Sequence, residues 1–454
     1  MTLPNRPKTP LLFQLFQWIV DPVGYMETTA KQYGEIFASP VGIGIGETIF
    51  LSNPQALQTI LSNPQQFPSP GSLNGILKPL IGSNSVMMLD GQQHKMRRKL
   101  LMPPFHGERM QAYGQLICNI TKQVTNEWAV GRPFYIRDTV QKITMRVILQ
   151  AVFGLYEGPR YAQLEELLSA RLNVTNSPLS ATLFFVPFLA KDYGSWSPGA
   201  KIKRQEEKIN ELLYAEIHDR RAEKNSDRPD ILSLLLSARD ENGEGMRDEE
   251  LRDELMTLLL AGHETTATAL AWAFYWTHHV PNVKQKLLEE IDSLGENPDP
   301  MSIFKLPYLT AVCQETLRIY PVGIVTFPRV VQEPVEILGY RLDAGTMTVG
   351  CIYLLHHRED LYPEPKQFKP ERFLERQFST YEYMPFGTGV RRCIGAALAE
   401  FEMKLVLGTI LKQYQLELAE TRPVKPQRRS LSLGPSGGVK MIRKGDRIGC
   451  ISYL

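Results

Sequence analysis

Residues 386–395 read FGTGVRRCIG, and this short stretch decides how the rest of the chain is interpreted. It holds a single cysteine, Cys393, which directly follows two arginines and is surrounded by the glycines Gly387, Gly389 and Gly395. After it, AALAEFEMKLVLGTIL has apolar side chains at helical spacing, namely Leu398, Phe401, Leu405 and Val406. Cys393 is therefore predicted to lie at a helix N-terminus, where unpaired N–H groups and the helix dipole stabilise a thiolate.

The glycines of this stretch have separate predicted roles. Gly389 is expected to take a positive φ in the turn, and Gly395 leaves room for a flat group near the backbone. A thiolate among small residues, with arginines beside it, suits a large planar metal cofactor that carries carboxylates. Taken separately, the cysteine and the glycine-rich loop each have an ordinary explanation, since lone cysteines often pack as small apolar residues and glycine-rich loops are common. A phosphate-binding loop is disfavoured because no Lys-Ser or Lys-Thr follows the glycines.

The combined spacing F-x-x-G-x-R-x-C-x-G resembles the haem-binding signature of the cytochrome P450 family. The resemblance covers essentially the whole chain and implies one catalytic domain over residues 1–454. It implies a mainly α fold with a smaller β region (α+β), with haem b (iron protoporphyrin IX) between a long central helix and the helix after the cysteine. It further implies that Cys393 is the axial ligand of the haem iron, that Phe386 packs near the sulfur, and that Arg391 pairs with a haem propionate. Gly387 and Gly395 would border the cofactor.

Composition and charge set broad limits on function. The chain has 454 residues, of which 43% are hydrophobic and 22% charged, as in soluble globular proteins. The formal net charge of +2 gives no reason to expect nucleic-acid binding. The five cysteines are scattered without a C-x-x-C pair, which argues against a disulfide framework, a cysteine-rich zinc site and covalent haem attachment. A reducing cytoplasm is the natural location, and a monomer is expected.

The N-terminal stretch LLFQLFQWIV, residues 11–20, is apolar but interrupted by Gln14 and Gln17. It is too short to span a bilayer, Asp21 and Pro22 end it, and no small-residue cleavage pattern follows. No transmembrane segment or secretory signal is therefore expected. Attachment to the surface of a membrane stays open.

A second landmark is the apolar segment from 248 to 279, which contains LLLAGHETTATALAW. Because His263 and Glu264 fall in its middle, where charge is costly in lipid, a buried central helix is predicted rather than a membrane span. A zinc protease motif would need a second histidine where Ala267 stands. Gly262 costs about 1 kcal/mol relative to alanine in a helix, so a local reason is expected, such as the close approach of a ligand.

The pattern A-G-x-E-T-T in this helix resembles the family's oxygen-binding segment. The resemblance places Ala261 and Gly262 beside the cofactor. It implies that the hydroxyl of Thr265 hydrogen-bonds dioxygen and that Glu264 feeds a proton relay. From the residues alone, a threonine hydroxyl at this position is also able to bond a carbonyl of the preceding turn.

Basic residues elsewhere are candidates for binding the cofactor's carboxylates. In GQQHKMRRKLL, residues 91–101, His94 and Arg98 are four apart and would share a helix face. A solvated basic surface is the alternative, whereas the resemblance implies that both reach haem propionates. It implies the same for Arg329.

The motif E-T-L-R contains Glu315 and Arg318, which by themselves indicate an ordinary i,i+3 surface ion pair. A PERF segment follows later in the chain and contains Arg372. This order resembles the family's structural triad and implies a buried network that fixes the cysteine loop. These three residues are therefore expected to be structural rather than catalytic.

The substrate is expected to be hydrophobic. The Pro/Gly-punctuated stretch 67–90 is long, apolar and suited to covering a greasy cavity, and the apolar stretch 179–190 matches the family's flap over the entrance. The residues expected to border the pocket are Leu77, Val86, Met87, Phe185, Leu258, Val325, Thr326 and Phe327.

The resemblance implies an O2-dependent monooxygenase that hydroxylates an unactivated carbon. Electrons would come from an external donor, a ferredoxin or flavodoxin with its reductase, docked over a cysteine side made positive by Arg391, Arg392 and the 94–99 segment. The chain looks most similar to cyanobacterial members, some of which hydroxylate long-chain fatty acids. Two alternatives remain: a peroxide-dependent or isomerising haem-thiolate enzyme, and a non-catalytic haem-binding or ligand-binding sensor.

Overall fold

Helices make up most of the chain in the computed structural model, which describes residues 4–41, 45–105, 108–174, 194, 197–223, 228, 230–429 and 431–447. In the first half they are α1 (Leu11–Val20), α2 (Pro22–Tyr33), α3 (Pro54–Ser62), α4 (Lys78–Ile81), α5 (Gly91–Leu101), α6 (Glu108–Thr125), α7 (Ile136–Phe153), α8 (Pro159–Val174) and α9 (Pro198–Ala222). In the second half they are α10 (Ile231–Ser237), α11 (Asp248–His279), α12 (Pro281–Asp292), α13 (Pro300–Phe304), α14 (Pro307–Ile319), α15 (Ile352–His356), α16 (Arg372–Glu375) and α17 (Ala396–Gln413).

The strands form small sheets. They are β1 (Ile36–Val41), β2 (Ile45–Leu51), β3 (Pro133–Tyr135), β4 (Arg329–Val330), β5 (Val335–Ile337), β6 (Tyr340–Leu342), β7 (Met347–Gly350), β8 (Tyr414–Leu418), β9 (Pro426–Arg429), β10 (Ser432–Pro435) and β11 (Lys440–Asp446). One sheet has the order β1-β2-β7-β4, in which β2 and β7 are parallel and the other pairs antiparallel. A second has the order β3-β11-β8, and β5-β6 and β9-β10 form two-stranded hairpins.

The central helix α11 is buried on nearly all sides. Three acidic residues occupy its first turn and two histidines its last, in keeping with the helix dipole. The backbone N–H of Arg247 donates to the Glu250 carboxylate and so caps the first turn. Ala267, Leu270 and Trp272 lie in the main apolar core, which α7 and α17 also enter. In the part of the chain that the structure describes, no helix is long and apolar enough to cross a membrane.

The predicted fold class is confirmed: the protein is mainly helical with a smaller β region. The segment 248–279 is the continuous helix that its apolar pattern predicted. The predicted flap, residues 179–190 with Phe185, lies outside the described residues.

Candidate active site

The cysteine loop is held in a closed turn directly before α17. The Cys393 backbone N–H donates to the carbonyl of Phe386 at 3.0 Å, and the Arg392 N–H donates to that of Gly389 at 3.1 Å. Gly389 has φ +68°, as the sequence predicted, and a Cβ there would collide with the carbonyl oxygen of Leu61 on α3. Glycine is therefore required at this position both by conformation and by close approach.

The Cys393 side chain faces an internal cleft. The side chain is exposed, yet the protein around it raises the pKa of its thiol through burial. The sulfur therefore borders open space that protein surrounds. The backbone N–H of Gly395 and the positive charge of Arg98 act in the opposite direction and lower that pKa. These are the helix-end donors and cations that stabilise a thiolate.

The loop fits a planar group bonded to this sulfur. Gly387 and Gly395 both have no atom within 4 Å of the position that a Cβ would occupy, so the backbone on either side of the cysteine borders open space. Gly387 has φ +64°, a conformation that side-chain-bearing residues rarely adopt. A flat cofactor has room to lie against the loop. The donor set therefore suits haem with a thiolate ligand.

The middle of α11 also borders open space. Ala261 and Thr265 are exposed although most of this helix is buried, and Leu258 on the same stripe is half-buried. The Thr265 hydroxyl donates to the carbonyl of Ala261 at 2.5 Å. Because its proton is used within the helix, its oxygen remains an acceptor on the exposed side.

Gly262 has a different explanation from the one the sequence indicated. A Cβ at this position would lie 2.8 Å from Cδ1 of Ile148 on α7. The glycine therefore allows the two helices to approach, and its missing side chain is replaced by Ile148 rather than by a ligand.

The carboxylate of Glu264 is held by α7. Nη2 of Arg137 donates to one oxygen at 2.5 Å, and Nε2 of Gln141 donates to the other at 2.8 Å. The side chain is only 12% exposed. Sequence reasoning missed both partners, because nothing local in the sequence links positions 137 and 141 to position 264.

Four basic residues lie close enough to influence one another. Burial, together with the charges of Arg391, Arg98 and Arg329, lowers the pKa of His94 to about 4, against the opposing charge of Asp90. Burial and the charge of Arg391 lower the pKa of Arg329 to about 10. A buried concentration of positive charge stabilises anions, and the propionates of a haem are anions of this kind.

Arg391 is bound by the loop that precedes α5. Its guanidinium donates to the carbonyls of Ser69 and Leu89 at 2.7 Å each and to that of Val86 at 3.1 Å. It also lies 3.3 Å from a carboxylate oxygen of Asp90. Arg391 therefore ties the cysteine loop to the 69–90 loop, and its pairing with a propionate stays a prediction.

Glu315, Arg318 and Arg372 come together in the core. Arg318 binds both oxygens of the fully buried Glu315 carboxylate, at 2.6 and 2.9 Å, and Nε of Arg372 donates to it at 3.1 Å. The backbone N–H of Lys369 adds a fourth bond at 2.8 Å. The set is therefore a buried network and not a surface ion pair.

His356 connects this network to the cysteine loop, a role that the sequence did not reveal. Its carbonyl accepts from Arg318 at 2.7 Å, and its Nε2 accepts from the backbone N–H of Met384 at 3.0 Å. Burial and the charge of Arg318 lower the pKa of His356 well below its usual value, so the ring is neutral and able to accept. Met384 lies two residues before Phe386, so this bond positions the start of the loop.

The predicted pocket residues have different surroundings. Val86, Met87 and Leu258 belong to or pack against the main apolar core, whereas Val325 packs on a smaller core beside α1 and α2. The Thr326 hydroxyl accepts from the Gly350 N–H at 2.9 Å and so serves the backbone. The remaining two, Leu77 and Phe327, are half-buried.

Comparisons with known proteins agree with this geometry. The sequence model of the family described as Cytochrome P450 matches residues 4–441. Cytochrome P450 135B1 of Mycobacterium tuberculosis is 35% identical over 98% of this chain and 92% of its own length. Cytochrome P450 138 of the same organism is 31% identical over 97% and 96%.

Two solved structures share the fold. The cyanobacterial CYP120A1 with retinoic acid bound superimposes with a TM-score of 0.85 at 24% identity, covering 98% of this chain and all of that one. The haem domain of cytochrome P450DA gives a TM-score of 0.84 at 23% identity, covering 98% of each.

Proposed function

The chain belongs to the cytochrome P450 family and is a haem b-dependent monooxygenase, and we propose that it hydroxylates a hydrophobic substrate such as a long-chain fatty acid. The observation that carries the proposal is the exposure of Ala261 and Thr265 on the otherwise mostly buried helix α11, together with the open space beside Gly387 and Gly395 on either side of Cys393. One catalytic domain, acting as a monomer, is proposed for the whole chain.

Haem bound through a thiolate supplies the activation of dioxygen. The protein's own contribution begins with Cys393, whose sulfur would be the ligand; burial raises the pKa of its thiol, and the Gly395 N–H and the charge of Arg98 oppose that rise and would stabilise the thiolate. His94, Arg98, Arg329 and Arg391 are proposed to neutralise the propionates. Ala261, Phe386 and Gly387 are proposed to border the ring.

Thr265 and Glu264 are proposed to handle protons. The Thr265 oxygen is available as an acceptor on the exposed side of α11, since its proton is bound to the Ala261 carbonyl. Glu264 lies next to it in sequence but is held by Arg137 and Gln141. It therefore delivers a proton only if its carboxylate is released from α7 or acts through a bound water.

The test uses two substitutions. Cys393→His is expected to abolish turnover and to change the spectrum of the carbonyl complex to that of a histidine-ligated haem. Thr265→Ala is expected to keep the wild-type spectrum of the carbonyl complex but to divert electrons from product to peroxide. Normal turnover by Cys393→His, or unchanged coupling in Thr265→Ala, would contradict the mechanism.

The apolar surroundings of Val86, Met87 and Leu258 support a hydrophobic substrate. A panel of fatty acids, terpenoids and polycyclic compounds, screened by the Soret shift on binding, tests the class. Fatty acids of increasing length are expected to bind progressively more tightly, because each methylene removed from water contributes about 0.8 kcal/mol. A panel in which only polar compounds shift the band would contradict the proposal.

A ferredoxin or flavodoxin is proposed as the electron donor. Arg392 is exposed in the cysteine loop, and Lys95 and Lys99 are exposed on α5, whose Arg98 acts electrostatically on Cys393; these cations support an acidic partner. The Arg391 side chain is only 6% exposed, so it adds little to this face, contrary to the sequence-based expectation. The rate of reduction is expected to fall as ionic strength rises, and a rate that does not depend on salt would contradict this docking mode.

Faster product formation with peroxide alone than with donor and oxygen would favour a peroxide-dependent enzyme.

A further inference from the structure

The N-terminal helix α1 is amphipathic, but its orientation is the reverse of the usual one. Leu12 is 79% exposed and Phe16 is 61% exposed, and they lie four residues apart on the outer face. Gln14 is 2% exposed and faces the protein, as does Trp18. Helices of globular proteins normally bury the apolar stripe and expose the polar one, so the outer face of α1 lacks its expected cover.

Specific bonds hold α1 in this orientation. The Gln14 side chain donates to the carbonyl of Thr9 at 2.7 Å and accepts from the Tyr25 hydroxyl at 2.9 Å. Trp18 meets the rings of Tyr25 and Phe50 edge-on, with centroids 5.9 and 5.7 Å away. Rotating the helix to hide its leucines would break these bonds and expose the tryptophan, so the apolar face is fixed outward.

The size of this face limits what covers it. Its members are the exposed side chains of Leu11, Leu12, Phe13, Phe16 and Val20, which are called the α1 face below. Together they present roughly 500 Å², taking about 150–250 Å² as the full area of a large side chain. A stable protein–protein interface covers about 800 Å² on each partner, so the α1 face alone is too small for one. A bilayer surface has no such threshold, because each inserted side chain adds to binding.

The charge at the N-terminal end of α1 favours a surface of negative sign, whereas the exposed Asp21 follows the other end. Between residues 4 and 20 the chain has two cations, Arg6 and Lys8, and no carboxylate. Arg6 pairs with the exposed Glu47. Lys8 is exposed and pairs with none of the described carboxylates, and it precedes the helix by a few residues, where it is able to contact lipid headgroups.

We propose that the α1 face docks the enzyme on the surface of an anionic bilayer, with Leu12 and Phe16 inserted and Lys8 at the headgroups. Such a helix lies in the plane of the membrane and does not span it. The inference is independent of the catalytic proposal, since it concerns residues that do not touch the cleft.

The test is flotation of the holoenzyme with vesicles of phosphatidylglycerol and phosphatidylcholine in equal parts, and with phosphatidylcholine alone. Leu12→Ser/Phe16→Ser is expected to lower the partition coefficient by about tenfold or more, because it removes two inserted apolar side chains. Val130→Ser/Leu374→Ser is the matched control, since it also removes two exposed apolar side chains, and it is expected to bind like the wild type. Lys8→Glu is expected to weaken binding to the anionic vesicles and not to the neutral ones.

Haem content and circular dichroism show that each variant is folded, and size-exclusion chromatography gives its oligomeric state. The proposal is overturned if the wild type does not float, or if both double variants lose binding equally. It is also overturned if the wild type is a dimer that Leu12→Ser/Phe16→Ser dissociates, because the α1 face would then be covered by a second copy of the chain.

Discussion

Replacing Gly262 by alanine tests whether this glycine serves helix packing or the cleft. Alanine in a helix is favoured over glycine by about 1 kcal/mol. The new Cβ would lie 2.8 Å from Cδ1 of Ile148, and overpacking of a core of this kind costs about 1–3 kcal/mol. We therefore expect Gly262→Ala to destabilise the protein by about 0–2 kcal/mol.

The same substitution is expected to change sign when Ile148 is shortened. Ile148→Val removes Cδ1 and costs about 0.5–1.5 kcal/mol by itself. The next nearest atom, Cγ1, lies 3.6 Å from the new Cβ, which is an ordinary contact. In this background Gly262→Ala should be stabilising by up to about 1 kcal/mol, because the helix preference of alanine is no longer opposed by a clash.

The assay is urea unfolding of the holoenzyme, followed by circular dichroism and by the Soret band, for the wild type, both single variants and the double variant. A coupling energy of about 1–3 kcal/mol between the two positions is expected. Equal destabilisation in both backgrounds would refute the packing explanation. So would a stability unchanged by Gly262→Ala in both backgrounds together with altered ligand binding, which would assign the glycine to the cleft instead.

Three further predictions concern buried charges. Glu315→Gln should lower the free energy of unfolding by about 3–5 kcal/mol, because two buried guanidinium groups lose their counter-charge. Glu127→Gln, which breaks an exposed ion pair, should cost about 1 kcal/mol or less, and equal losses would contradict the buried network. Glu402 is enclosed in α17 and burial raises its pKa to about 8, so its contribution to stability is complete below about pH 4.5 and is lost as the pH rises toward 8. Urea unfolding across this range should show the free energy of unfolding of Glu402→Gln rising relative to that of the wild type by about 1.4 kcal/mol per pH unit. A difference between the two that does not change with pH would contradict the raised pKa. Arg137→Met should lower turnover roughly tenfold without changing haem content, since Glu264 loses the group that positions it, and an unchanged turnover and solvent isotope effect would exclude this role.

Local patterns in the sequence were enough to predict the frame of the site. The order of residues around Cys393 predicts a turn followed by the start of a helix. The apolar sequence of α11 predicts a buried central helix once a membrane span is excluded. Contacts between distant segments were not predictable in this way. Glu264 meets Arg137 across 127 positions of sequence, and Gly262 meets Ile148 across a helix interface, and no periodicity connects either pair. Such contacts depend on how α7 crosses α11, which only the folded chain determines.

The orientation of α1 shows a second limit of sequence reasoning. The pattern LLFQLFQWIV separates an apolar from a polar face, but hydrophobicity alone would place Gln14 outside and Leu12 inside. The structure reverses this because Gln14 finds both a donor and an acceptor within the protein. A buried amide that is fully hydrogen-bonded loses little free energy, so partner geometry overrides the pattern.

The residues of the site differ in whether other protein groups satisfy their hydrogen bonds and fill the space around them. Glu315 accepts four hydrogen bonds from protein donors, which leaves no role for a ligand and agrees with a structural function. Ala261 and Thr265 are exposed on the mostly buried α11, Cys393 is exposed as well, and Gly387 and Gly395 border open space. Interiors of folded proteins are closely packed, so open space kept beside Cys393 and a basic cluster is costly unless another molecule fills it. The same reasoning separates His356, whose Nε2 and carbonyl are both used by protein groups, from His94, whose charge is suppressed by burial and by the cations around it. An anion among those cations should raise the pKa of His94, so its titration with and without bound cofactor, followed by NMR, would show whether the basic cluster receives the propionates. An unchanged pKa would remove the cluster from the cofactor site.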